Sequence, residues 1–117
     1  MPIFKEYTDF DAVGIAELIK TKKIQAIDAL DTAIELIEQL DPKLNFIHQK
    51  TYHYAMESLN RNKDLTGPFA GVPMLMKDMD SALYSVPMMQ GSKYLKDIPM
   101  KFNNSLSKKF TNSGALI

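Results

Sequence analysis

Apolar residues recur at helical spacing through the first half of the chain and lose that spacing in the second. Ile27, Leu30, Ile34 and Ile37 fall at steps of three and four, with Ala26, Ala33 and Leu40 widening the stripe. The pattern predicts a helix with one buried face. Pro42, which has no N–H to continue the hydrogen-bond ladder, predicts its end. Upstream, Val13, Ala16, Leu18 and Ile19 supply the apolar face of a first helix, which Asp9 or Asp11 can cap. That helix closes by the cationic run Lys20-Thr21-Lys22-Lys23, where positive charge suits a helix C-terminus. Two antiparallel helices packed on their apolar faces follow. Leu44 to Ile47 reads as a short strand, and Thr51 to Arg61 as a third helix with Tyr52, Ala55, Met56 and Leu59 on one side.

The turn-rich Asp64-Leu65-Thr66-Gly67-Pro68 then divides the chain. Residues 1–63 read as mainly helical and residues 64–117 as a strand, loop and helix segment. Between 69 and 100 there is no helical period, and prolines and methionines replace it, which predicts strands and loops. Asn103 or Asn104 can cap a late helix with Leu106, Phe110 and the stem of Lys109 facing inward, and Gly114 suits its left-handed end. Ala115-Leu116-Ile117 begins an apolar, strand-like run and the sequence stops, which leads us to expect a truncated domain.

Composition narrows the classes. The 117 residues are 45% hydrophobic and 24% charged, ordinary for a globular chain. Lys plus Arg and Asp plus Glu number 14 each, so no net positive field exists to gather nucleic acid or anionic lipid. With no cysteine, thiolate chemistry and cysteine-based metal sites are excluded. No stretch approaches the roughly 20 apolar residues of a membrane span, and the start lacks a signal-peptide pattern, so the expectation is a cytoplasmic protein.

The candidate chemistry lies in Gly67-Pro68-Phe69-Ala70-Gly71-Val72-Pro73-Met74-Leu75-Met76-Lys77-Asp78. An apolar run here delivers a lysine, and an ammonium among apolar groups is costly to keep charged. If Met74 to Lys77 is extended, Lys77 shares a face with Leu75 and opposes Met74, Met76 and Asp78, so adjacency does not make Asp78 its partner. Taken on spacing alone, such a lysine is more often a solvated surface charge. His48 and His53 stand five apart with no carboxylate cluster in the sequence around them, which argues against a metal site. The methionines of 74 to 89 read as core more readily than as a binding surface.

Gly71-Val72-Pro73-Met74-Leu75-Met76-Lys77-Asp78 resembles the Gly-Val-Pro-x-x-x-Lys-Asp element of the amidase-signature family. Leu40-Asp41-Pro42-Lys43-Leu44-Asn45-Phe46 is similar to that family's junction after its N-terminal helices, and Pro87 to Gly91-Ser92 to its Pro-x-x-x-Gly-Ser loop. Asn104-Ser105-Leu106 onward to Gly114-Ala115-Leu116-Ile117 looks like the helix before its next core strand. The prefix Gly67-Pro68-Phe69 with Met74-Leu75-Met76 is most similar to the 6-aminohexanoate cyclic-dimer hydrolase-like branch.

The resemblance implies an α/β fold: an N-terminal helical hairpin followed by part of a mixed-sheet core. It implies cleavage of carbon–nitrogen amide bonds in a small-molecule substrate, with no metal and no organic cofactor. A serine nucleophile, a second serine in a cis peptide and a lysine form the family's triad, and Lys77 corresponds to that lysine. None of Ser58, Ser81, Ser85, Ser92, Ser105, Ser107 and Ser113 stands in the family's Gly-Gly-Ser-Ser setting, so the chain by itself is expected to be inactive. Ser85 stands where many relatives have glycine, and Met88-Met89 where they often have threonines. Unpaired edges and zero net charge predict a homo-oligomer. Two other readings stay open: a parent of the glutamine-amide-transferring type that acts on charged tRNA, and a non-enzymatic module that self-associates.

Overall fold

The computed structural model describes residues 4–61 and 66–117. The expected turn beginning at Asp64, and the division of the chain at residues 63 and 64, lie partly or wholly outside the described residues. A 3-10 turn over Lys5–Asp9 precedes helix α1, Ala12–Lys20. Of the two candidate caps it is Asp11 that serves, its carboxylate accepting the Gly14 N–H at 2.8 Å. Helix α2 covers Ala26–Leu44, α3 covers Tyr52–Arg61 and α4 covers Ser105–Asn112.

The C-terminal end of α2 corrects the sequence reading twice. Pro42 lies inside the helix, and no strand forms over Leu44 to Ile47. A proline loses the bond its own N–H would have made and crowds the carbonyl four residues back, and here only Lys43 and Leu44 of the helix follow it, so little helix remains to be disrupted. Asp41 closes the end instead. Its carbonyl accepts from the Asn45 N–H at 2.7 Å, and its carboxylate accepts from the N–H groups of Phe46 and Ile47 at 2.9 and 2.8 Å. Asn45 takes the left-handed conformation, φ 50°, that such a terminus uses.

Two apolar clusters hold the elements. Ile15 of α1, Ala29 of α2 and Val72 form one, ringed by Phe4, Tyr7, Ala16 and Phe69. Leu30 of α2, Ala55 of α3 and Leu116 form the other, with Ile34, Met56 and Leu59 against it. Burying an aliphatic side chain of Leu30's kind contributes roughly 1.5–3 kcal/mol. The buried Thr32 hydroxyl accepts the Phe4 N–H at 3.0 Å and ties the N-terminal segment to α2.

The second half is built on a parallel seam. Phe69 and Gly71 donate to the carbonyls of Ser113 and Gly114 at 2.8 and 2.9 Å, Leu116 donates to Val72 at 2.8 Å, and Met74 donates to Leu116 at 2.7 Å. Pro73 and Leu116 are the bridged pair. Pro73 has no N–H to extend the ladder, and the described residues contain isolated bridges and no strand. Among the described residues the chain shows helices joined by single bridges, and the expected mixed-sheet core is not seen in it. A lone parallel pair gains little until further strands flank it.

Helix α4 also corrects an expectation. Asn104 is its cap, accepting the Ser107 N–H at 3.0 Å, but the residue turned inward is Ser107, with Leu106 43% exposed and Lys109 at the surface. Ser107 tolerates full burial because its hydroxyl donates to the Ala82 carbonyl and meets Asn104 as well. Among the described residues no helix is long and apolar enough to cross a membrane.

Candidate active site

Lys77, exposed, is one of the residues lining an open groove of about 650 Å³. One side is the apolar face of α2 (Leu30, Ile34, Ile37, Leu40), and the other is the extended run from Pro73 to Met79. The expected alternation along that run is present. Leu75 and Lys77 are exposed, while Met74, Met76 and Asp78 are half-buried. The methionines expected in the core are in fact divided, since Met79 is 48% exposed at the groove while Met74 and Met76 are half covered.

The backbone beneath the lysine is fixed. The Ser81 hydroxyl donates to the carbonyl of Lys77, and Ser81, Ala82 and Leu83 are buried. The Lys77 ammonium has no hydrogen-bond or ion-pair partner among the described residues. Asp78 is occupied elsewhere. One of its oxygens accepts the Met89 N–H at 2.9 Å, and the other accepts Gln49 Nε2 at 3.2 Å. The same Gln49 nitrogen reaches the Pro87 carbonyl at 2.7 Å. Both partners of that nitrogen are acceptors, which fixes the orientation of the amide.

His48 has no carboxylate cluster around it in the sequence, and the fold brings one carboxylate to it, its Nε2 lying 3.5 Å from Asp78. Tertiary folding makes that neighbour, because the residues are thirty positions apart in the chain. Among the described residues no group of three His, Cys, Asp or Glu side chains converges as a metal site would need.

A second polar cluster sits on the rim. The carboxylate of Glu38 accepts the Tyr52 hydroxyl at 2.6 Å and Lys50 Nζ at 2.7 and 3.0 Å from its two oxygens. Lys50 and then Tyr52 hold the Glu38 carboxyl below the usual carboxylate range. Burial first, and then the hydrogen bond to Glu38, push the Tyr52 phenol well above its usual value. Sequence reasoning placed Tyr52 on an apolar helix face and missed this role. Nothing in the local pattern signals a partner fourteen residues away.

No family model matches the chain. It is similar to a putative amidase of Mycobacterium leprae, 33% identical over 85 residues that make up 72% of this chain and 17% of that protein. It is similar also to the 6-aminohexanoate-cyclic-dimer hydrolase of a Pseudomonas strain, 33% identical over 70 residues, 59% of this chain and 13% of that protein. Among solved structures it superimposes on a bacterial aryl acylamidase belonging to the amidase-signature enzymes. The TM-score is 0.82 at 34% identity, covering 92% of this chain and 24% of that one. The chain thus spans a quarter or less of the proteins it resembles.

Proposed function

We propose, on the premise that this chain is a segment of the amidase-signature family, that it supplies the lysine-bearing wall of an amide hydrolase's active cleft. The observation that carries the reading is Lys77, delivered by the Gly71 to Asp78 element to an apolar groove, its ammonium without a partner among the described residues. The similarity of 92% of the chain to part of an amidase-signature enzyme supports it.

In this reading Lys77, in its neutral form, takes the proton that a serine nucleophile gives up through a second, cis-peptide serine. The nucleophile attacks the amide carbonyl, the amine leaves with a proton, and water releases the acyl group. The substrate is a small-molecule amide. The nucleophile, the relay serine and the oxyanion donors belong to the family's Gly/Ser-rich signature, so the 117 residues alone carry out no hydrolysis. The seam between Val72–Met74 and Leu116 is the start of the parent's mixed sheet, and copies of the isolated chain cover one another's open apolar faces.

The test has two steps. The nucleotide sequence after the Ile117 codon is read for an in-frame Gly/Ser-rich signature. In the protein that carries it, Lys77→Ala and Lys77→Arg are each expected to lower amide hydrolysis by on the order of 10³ or more, as for members of a catalytic unit. Absence of the signature, or full activity in Lys77→Ala, would overturn the reading. Lys77-dependent turnover by the 117 residues alone would overturn their inactivity.

A further inference from the structure

We propose that Asp78 is a positioning residue for Lys77, acting by being held away from it. The inference rests on the reading of Lys77 above, but its test needs no amide turnover. A lysine followed directly by an aspartate on an exposed chain would pair with it part of the time, and such a pair favours the protonated ammonium over the neutral amine, the form that can accept a proton. Here the carboxylate is turned to the other face of the extended run and fully engaged.

Three groups from two segments meet on it. Met89 N–H donates from the loop after Pro87 at 2.9 Å, Gln49 Nε2 donates from the segment after α2 at 3.2 Å, and His48 Nε2 lies at 3.5 Å. Gln49 closes the ring by donating to the Pro87 carbonyl at 2.7 Å. The Asp78 side chain is only 22% exposed, so these donors replace water as its partners. Ser81 holds the Lys77 carbonyl from the far side. The backbone of residues 77 and 78 is therefore held on both sides, while the Lys77 amine has no partner among the described residues. Gln49 is the part of this clamp whose loss would release the carboxylate with its charge intact.

The test is the acylation rate of Lys77 in the 117-residue chain by an activated ester, read by mass spectrometry against Lys22 in the same molecule. Gln49→Met removes both of its donors, frees the carboxylate and lets it capture the ammonium. The expected result is Lys77 acylation slowed about two- to fivefold, the range of an exposed ion pair. In Gln49→Met with Asp78→Ala there is no carboxylate to capture it, and the rate returns. Exchange of the Met89 amide is expected to speed up in Gln49→Met while that of the Leu30 amide does not. If Asp78→Ala costs the fold, Asp78→Asn in the same pair removes the charge and keeps an oxygen for the Met89 N–H. Gln49→Met acylating Lys77 at the wild-type rate would overturn the proposal. So would a slowing that persists without the Asp78 charge, since that marks a purely structural effect.

Discussion

Gly71 donates its N–H to the carbonyl of Gly114 at 2.9 Å, and both residues lie at positive φ, 81° and 88°. This bond belongs to the seam that carries the lysine element, and it requires the end of α4 and the turn after Thr66 to approach backbone to backbone. A Cβ on Gly114 would sit 2.4 Å from the Thr66 carbonyl oxygen and 2.6 Å from Ala70 Cα. Gly114→Ala is accordingly expected to destabilise the chain by at least about 2 kcal/mol, from left-handed strain with a backbone clash added. Thermal unfolding reads it as a fall in Tm of several degrees. An unchanged Tm would mean that the seam is not formed in solution.

Ser85 sits at φ 65° in a loop that its N–H anchors to the Met100 carbonyl at 2.8 Å. A left-handed position disfavours any side chain and accepts glycine. Ser85→Gly is expected to be neutral to about 1 kcal/mol more stable, the relief of strain exceeding the added chain entropy. Urea denaturation measures the difference, and a loss of stability would contradict the assigned backbone.

The tyrosines are expected to contribute to loss of stability at alkaline pH. Burial first, then the bond to Glu38, raises the Tyr52 phenol, and burial also raises Tyr7 and Tyr54. A raised folded value means that the fold prefers the protonated phenol. The stability this gives is complete below the ordinary phenol value of 10.0 and is lost as pH rises above it. Glu38 has the opposite sign, its contribution present above the ordinary carboxylate value of 4.5 and lost as pH falls. Stability measured between pH 9 and 11 is expected to decline in the wild type and to decline less steeply in Tyr52→Phe. Identical slopes would remove Tyr52 from the account.

The open groove bears on assembly. Leu40, Phe46 and Leu75 stay 43–58% exposed around it, and a chain of zero net charge offers no long-range repulsion. The isolated chain is expected to form a dimer or larger oligomer at micromolar concentration, burying more than roughly 1,000 Å² in total. Leu40→Lys, on an already exposed position, is expected to shift it toward monomer. Light scattering distinguishes the two, and a wild-type monomer across that range would overturn the expectation.

The helices were legible in the sequence because each carries its own signals. The stripe from Ile27 to Ile37, the Asp11 and Asn104 caps and the left-handed Gly114 all act within a turn or two of chain. Pro42 misled because the penalty for proline depends on how much helix remains beyond it, and Asp41 had already supplied the closing acceptors. The strand expected at Leu44 to Ile47 failed for the same reason. The inward face of α4 was misread because Ser107 is paired by Ala82, twenty-five residues away, which no helical period encodes.

For the site, the sequence by itself determined that a lysine follows an apolar run, which side of an extended chain it takes, and which family's motif it matches. Those are local facts, set by alternation along the backbone and by the order of residues. Only the tertiary structure decided that Asp78 turns to Gln49 and Met89, that His48 comes beside it, and that the α2 face forms the opposite wall of Lys77's groove. These relations join segments up to about forty residues apart, and their partners are chosen by how the helices and the Val72–Leu116 seam pack, which spacing along one chain does not specify.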